Sequence, residues 1–358
     1  MALAPAPAPR RPLTELAAGV DALYLSGRSF LPPTLAAELE AGRVAAEAAG
    51  TPSVFNLGGL SCHLAGHGWG KYRYCLDHAT GGIGLTPSTA LPTVRVQPRS
   101  EVLHALGPAD TVAAFDGPVR AALLQIHWSV SRIDLHADWQ GFALHRDLSE
   151  RFVGRATARS IYEDGDLCTG FTFGKRKGSR ITARLYDKLV DIEAKGSDFW
   201  FDIWGERFDP SLGVHRLEFE WGREALKSMQ LSSPAEVLAA LGDLWRYSTS
   251  EWLTLRTVTD DQTRSRSPLA PEWIDIQQST LSHDQIGLAR LTEGSRRGAL
   301  RLLMPQLNGF VSSAAVHLDT EGIDETLAAL EPHLRDYEIR SGESFVDRVA
   351  RKRRERFA

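Results

Sequence analysis

The residues best suited to chemistry in this 358-residue chain fall in three short segments that read as β-strands. Side chains on a strand alternate between two faces, so each segment divides into two sets. In Arg132–Trp139, Arg132, Asp134, His136 and Asp138 share one face, while Ile133, Leu135, Ala137 and Trp139 share the other. In Ile181–Lys188, Thr182, Arg184, Tyr186 and Lys188 oppose Ile181, Ala183 and Leu185. In His215–Trp221, Arg216, Glu218 and Glu220 oppose Leu217, Phe219 and Trp221. The solvated face of an antiparallel sheet is polar by default, usually through Thr, Ser, Gln and Lys. Aspartates, glutamates, a histidine, a tyrosine, a lysine and arginines are instead the inventory of a metal-dependent phosphoryl-transfer site.

Asp134, Glu218 and His136, with Asp138 and Glu220 beside them, offer the donors that Mg²⁺ or Mn²⁺ takes. A cation there would polarise a scissile phosphate, and Tyr186 would attack phosphorus. A free phenol has a pKa of about 10, so it needs cationic or basic help; Arg184 and Lys188 project from the same face. A tyrosyl ester conserves the energy of the broken strand and allows rejoining. The preceding loop carries Lys175, Arg176, Lys177 and Arg180, with Ser179 and the turn glycines Gly174 and Gly178; it is placed to grip a DNA backbone. Trp69, Tyr72, Tyr74 and Trp139 read first as core or cross-strand aromatics, with stacking on unpaired bases as the rarer use.

The ordered motifs Arg132-Ile133-Asp134-Leu135-His136-Ala137-Asp138, Thr172–Ser179, Arg184-Leu185-Tyr186-Asp187-Lys188 and Arg216-Leu217-Glu218 resemble the Rep_trans family of plasmid rolling-circle replication initiators and MobT-type relaxases. Gly68–Tyr74 is similar to that family's Trp/Tyr-rich segment, so the resemblance runs from about Gly19 to Leu226. It implies Tyr186 as nucleophile, Asp134 and Glu218 as metal ligands, and a covalent 5′-phosphotyrosyl intermediate that is later religated. It also implies single-stranded or cruciform origin DNA as substrate and a helicase or coupling protein as partner; a homodimer is left open.

Positioning these residues requires an α+β fold. The sequence reads as strand Val20–Ser26, helix Pro33–Ala49, short antiparallel strands over Val54–Val96, including Gly70–Leu76 and Thr93–Val96, and helices between Ser100 and Gln125. The grammar then repeats: strand Ser131–Trp139, a short helix near Leu148–Val153, strands Ser160–Tyr162, Thr169–Phe173, Arg180–Lys188 and His215–Trp221, and a helix Pro234–Leu253. The expectation is an antiparallel sheet with helices on one side, with internal duplication of a strand-helix-strands unit left open. The expected segments are a disordered 1–18, an α+β half 19–126, a catalytic half 127–256, and a helical region 257–358 with a basic tail (Arg348, Arg351–Arg354, Arg356).

Composition sets the outer limits. With 43% hydrophobic and 24% charged residues the chain can bury a substantial core. Three cysteines without CxxC spacing suggest neither a disulfide framework nor a zinc cluster. No apolar run is long enough for a membrane span, and the Pro/Ala-rich start lacks a signal peptide's apolar core, so a cytoplasmic protein is expected. The formal charge of −4 provides no overall pull toward nucleic acid, and the basic clusters must supply it locally. The alternatives to a nicking enzyme are a catalytically inactive DNA-binding regulator of the same fold and a hydrolytic nuclease using water on the same carboxylates. A tyrosine recombinase fits poorly, because its nucleophile sits on a helical domain.

Overall fold

The computed structural model describes residues 12–175, 180–260, 263–282, 307–308, 310–342 and 344–350. The chain runs β1 (Thr14–Arg28), α1 (Pro33–Ala49), β2 (Ser53–Leu57), β3 (Leu60–Leu64), β4 (Tyr74–His78), β5 (Gly81–Leu85), β6 (Val94–Pro98), α2 (Ser100–Leu106) and α3 (Pro108–Leu123). It continues β7 (His127–Gln140), α4 (Leu148–Arg151), β8 (Phe152–Gly154), β9 (Arg159–Asp164), β10 (Leu167–Phe173), β11 (Ile181–Asp187), α5 (Lys188–Lys195), α6 (Phe199–Trp204) and β12 (Val214–Gly222). Then come α7 (Arg223–Ser228), α8 (Pro234–Ala239), α9 (Leu241–Tyr247), β13 (Leu253–Leu255), α10 (Pro271–Gln277) and a helix over Ile323–Ser341.

Eleven strands hydrogen-bond in the order β2-β3-β4-β5-β6-β1-β7-β12-β11-β10-β9, and β13 pairs with β8. The order carries a pattern. In each half the opening strand, β1 or β7, lies next to the closing strand, β6 or β12, and the other strands of that half in this sheet meander outward, β5 to β2 or β11 to β9. The fold is α+β, as the alternating patterns predict.

Two compact units divide the residues. One draws on Met1–Gly19, Leu135–Glu220 and Ala240–Gln285; the other on Val20–Asp134, Trp221–Ala239 and Ile286–Ala358. β1, β7 and β12 each contribute to both. In the second unit α1 starts with proline in its first turn and ends at Gly50, whose φ of 67° supplies the left-handed cap. The β2–β3 hairpin closes through Gly58 and Gly59, at φ 58° and 95°, the two positive values that a tight hairpin turn matching strand twist requires. Leu23, Leu25, Ile83, Val94 and Val96 point to one face of this sheet and are buried.

In the first unit the apolar faces of β10, β11 and β12 meet an aromatic layer. Phe219 stands edge-on to Trp245 and Trp252, at 5.6 and 6.1 Å between ring centroids. Phe152 touches Phe171, Phe173 and Trp273 of α10. The opposite face, which holds the ionisable residues, is covered as well. From Ile133 to Gln140 every residue of β7 is buried, and tryptophans of α6 account for part of that covering.

Several local expectations shift. β1 begins at Thr14, so the last residues of the segment expected to be disordered are strand. Gly70–Leu76 is not one strand: Trp69 and Tyr72 close a tight turn and β4 starts at Tyr74. Pro234–Leu253 is broken into α8, α9 and a π-helical turn at Ser248–Trp252; at that turn the Ser248 and Thr249 hydroxyls bond back to the carbonyls of Leu244 and Trp245. The region after Thr257 is not one body. Leu13 N–H donates to Asp275 of α10, placing that helix in the first unit, whereas Ile323–Ser341 belongs to the second.

Candidate active site

The strands carrying the ionisable faces are neighbours in the order β7-β12-β11, with β12 in the middle able to reach both sides. Glu218 of β12 is 2% exposed. One of its carboxylate oxygens accepts a charge-assisted bond from Arg184 of β11, and the other accepts a bond from the Tyr186 hydroxyl at 3.3 Å. The i and i+2 positions of β11 thus converge on one carboxylate of the adjacent strand, as same-face residues should. Both Arg184 and Tyr186 are half-exposed, so the phenol lies at the rim of a site whose floor is buried.

Space for the tyrosine comes from the strand on its far side. Gly170 of β10 pairs directly with Tyr186, and a β-carbon at that position would lie 3.0 Å from Tyr186 Cβ and 2.9 Å from the Leu185 carbonyl. The strand ends just after the tyrosine. The Asp187 carboxylate accepts from the backbone N–H groups of Leu189 (2.9 Å) and Val190 (3.2 Å), an N-cap that starts α5.

Lys188 therefore departs from the expected strand face, because it is the first residue of α5. Its ammonium is buried, paired with Asp191 at 2.7 Å, 4.9 Å from the centroid of Trp200 and 5.9 Å from that of Tyr186. The cation stays close to the nucleophile, delivered by the helix instead of the strand. Burial opposes ionisation of Asp191, but hydrogen bonds from Lys188 and Lys195 overcome it and hold this carboxyl below its usual range.

On the other side of β12, Arg216 and Asp138 form an ion pair with neither side chain exposed. Arg216 Nε lies 2.6 Å from Asp138 Oδ1 and its terminal nitrogen 2.8 Å from Oδ2, while Trp204 Nε1 donates to Oδ2 at 2.9 Å. Burial alone would push the Asp138 carboxyl up; the Arg216 charge and hydrogen bonds, aided by His136, reverse this and hold it well below the usual carboxylate range. The guanidinium stacks on Trp200 at 3.8 Å, and the same ring meets His136 edge-on at 5.3 Å. Trp200 and Trp204 were not singled out by strand-face reasoning. Their i, i+4 spacing within the aromatic run Phe199-Trp200-Phe201-Asp202-Ile203-Trp204 is the signal that could have revealed them.

The expected metal ligands are distributed differently. Asp134 is gripped by Arg132 on its own strand, Nε to Oδ1 at 2.7 Å, Asp138 by Arg216, and Glu218 by Arg184. A carboxylate whose oxygens already serve a guanidinium must give up that partner before it can bind a cation. Glu220 is half-buried at the end of β12. The second unit holds an ionisable pair that strand-face reasoning did not single out as a metal site. His104 Nε2 lies 3.7 Å from Asp21 Oδ1, and Asp21 also accepts from the Ser100 hydroxyl at 2.8 Å. The opening of α2 at Ser100 is what brings His104 beside β1.

Of the basic loop, Lys175 and Arg180 are exposed; Arg176, Lys177 and Ser179 lie outside the described residues, as do Arg351–Arg354 and Arg356 of the tail. Arg348 is described, its guanidinium 5.0 Å from the Tyr337 ring centroid. Among the described residues no helix is long and apolar enough to cross a membrane.

No family model matches the chain and no curated protein does. Among solved structures, a rolling circle replication initiator protein from Geobacillus stearothermophilus is similar over 74% of this chain and 97% of its own, with a TM-score of 0.43 and 14% identity. At those values the similarity has no weight in the functional reading, which rests on the site.

Proposed function

We propose that the chain is a metal-dependent DNA-nicking enzyme of the rolling-circle initiator and relaxase kind, with Tyr186 as nucleophile. The observation that carries this is the Tyr186 hydroxyl hydrogen-bonded to a buried carboxylate, Glu218, whose other oxygen is held by Arg184. This is the arrangement of an activated nucleophile: a weak acid, a base within reach, and a third group orienting the base.

Glu218 takes the phenolic proton as the tyrosine oxygen bonds to phosphorus. The bond from phosphorus to the 3′-oxygen breaks, that oxygen leaves as a hydroxyl by taking a proton from water, and the 5′-phosphate remains esterified to Tyr186. Arg184, half in solvent, is placed to exchange part of its contact with Glu218 for the phosphate's equatorial charge. Lys188 holds positive charge beside the ring, and Lys175 and Arg180 bind flanking phosphates. The chain's partner in this reading is single-stranded origin DNA. A divalent cation, Mg²⁺ or Mn²⁺, would polarise a phosphoryl oxygen.

The test is incubation with a library of hairpin-bearing single-stranded oligonucleotides and Mn²⁺, followed by denaturing gels. The chain should form a denaturation-resistant protein–DNA adduct, and Tyr186→Phe should form none while keeping its fold. If Tyr186→Phe still cleaves, water is the nucleophile and the proposal fails in favour of a hydrolytic nuclease.

A further inference from the structure

The second unit carries an aromatic and guanidinium ladder that the nicking chemistry does not use. Trp69 and Tyr72 close the turn through reciprocal backbone bonds of 2.8 and 3.1 Å, with Gly70 at φ 61° and Lys71 exposed at its tip. The turn folds onto β5, where glycines make a seat for it. A β-carbon on Gly82 would lie 3.2 Å from the Trp69 ring, and one on Gly84 would lie 3.0 Å from Tyr72 and 3.3 Å from Trp69. Arg95 of β6 follows, its guanidinium 4.6 Å from the Trp69 ring and 5.7 Å from the ring of Tyr24 on β1. Arg132 of β7 closes the series, its guanidinium 5.0 Å from the centroid of the same Tyr24 ring.

All four ladder residues, Trp69, Arg95, Tyr24 and Arg132, are half-exposed. The register explains why they share a face: Arg95 pairs with Gly84 on one side and Ser26 on the other, while the alternate residues Leu23, Leu25, Ile83, Val94 and Val96 fill the core. The nearby carboxylates are already matched with cations, Asp134 with Arg132 and Asp77 with Arg99 at 2.8 Å. A ladder of planar groups across β5, β6, β1 and β7 spans about three strand spacings, roughly 14 Å.

We infer that this sheet face, Trp69-Arg95-Tyr24-Arg132, is a binding platform for unpaired bases of single-stranded DNA, separate from the nicking residues. Every base has a π-face, so rings and guanidinium planes accept a strand without reading its sequence, and the arginines and Lys71 meet its phosphates. A sheet face displaying aromatics is a proven way of stacking two or three bases. The inference takes from the nicking reading only that the chain encounters single-stranded DNA.

The experiment uses the full chain carrying Tyr186→Phe, so that binding is read without chemistry, and follows fluorescence polarisation of a labelled 20-mer of thymidylate with heparin and a 20-base-pair duplex as competitors. Trp69→Ala and Tyr24→Ala should each weaken binding by tenfold or more at an unchanged melting temperature. Arg95→Lys, which keeps the charge and loses the plane, should weaken it several-fold. Should Trp69→Ala unfold the glycine seat, Tyr24→Ala and Arg95→Lys decide alone. Unchanged affinity in folded variants overturns the platform. So does equal competition by duplex or heparin, which would make this a general polyanion surface. Loss of adduct formation in the unmutated chain would sink the nicking reading and leave this measurement standing.

Discussion

Replacing Arg216 with methionine tests whether the covered face of β7 and β12 is held as its geometry indicates. Asp138 accepts from two nitrogens of Arg216 at 2.6 and 2.8 Å and from the Trp204 indole at 2.9 Å, with His136 Nδ1 3.5 Å from its Oδ1. Arg216→Met removes the two guanidinium donors and the compensating charge while Asp138 stays sealed from water. Breaking one side of a buried pair costs about 3–5 kcal/mol, a large share of the roughly 5–15 kcal/mol that stabilises a typical domain. With an m-value of about 3 kcal/mol/M in urea, the unfolding midpoint monitored by tryptophan fluorescence should fall by about 1–1.7 M. The loss should also depend on pH. In the unmutated chain the Asp138 carboxyl lies below its usual range, so its contribution is complete above the ordinary carboxylate pKa and disappears as pH falls through the folded value. Without Arg216, burial raises that carboxyl, and the variant gains stability relative to the parent as pH drops toward 4. Asp138→Asn combined with Arg216→Met removes the stranded charge and should recover at least half the loss. A single-variant cost under about 1 kcal/mol, or a double variant no better than the single, would refute the argument.

Gly170→Ala should place a methyl group against Tyr186 Cβ and the Leu185 carbonyl. Overpacking of this kind costs about 1–3 kcal/mol, and adduct formation should fall by more than the folded fraction does; equal losses would mean that the glycine serves only the strand. On the surface, hydrogen bonds from Arg73 and then Arg43 bring the Glu40 carboxyl down to about 2 from 4.5. Its contribution to stability is present above the unfolded value near 4.5 and is lost as pH falls toward 2. A carbon-13 titration should find that midpoint, and Arg73→Ala should return it toward the ordinary value.

The alternation of side chains along Arg132–Trp139, Ile181–Lys188 and His215–Trp221 determined which residues share a face, because period two is a property of the extended backbone itself. Tyr186, Arg184 and Glu218 followed from that period. The helix Pro33–Ala49 was legible for a different reason: its proline start and Ala/Glu-rich run lie within the structure they direct. What the alternation leaves open is which strand lies beside which. Tertiary structure put β12 between β7 and β11, and so gave Glu218 to Tyr186 and Arg216 to Asp138. It decided that the polar face would be covered by Trp200 and Trp204, since a face rich in ions looks the same in sequence whether water or tryptophan lies over it. It moved Lys188 from strand to helix, because the Asp187 side chain captures two backbone N–H groups only once the chain has turned. It also brought His104 to Asp21, 83 positions away in sequence. No local pattern connects residues so far apart; only the docking of α2 against β1 brings them together.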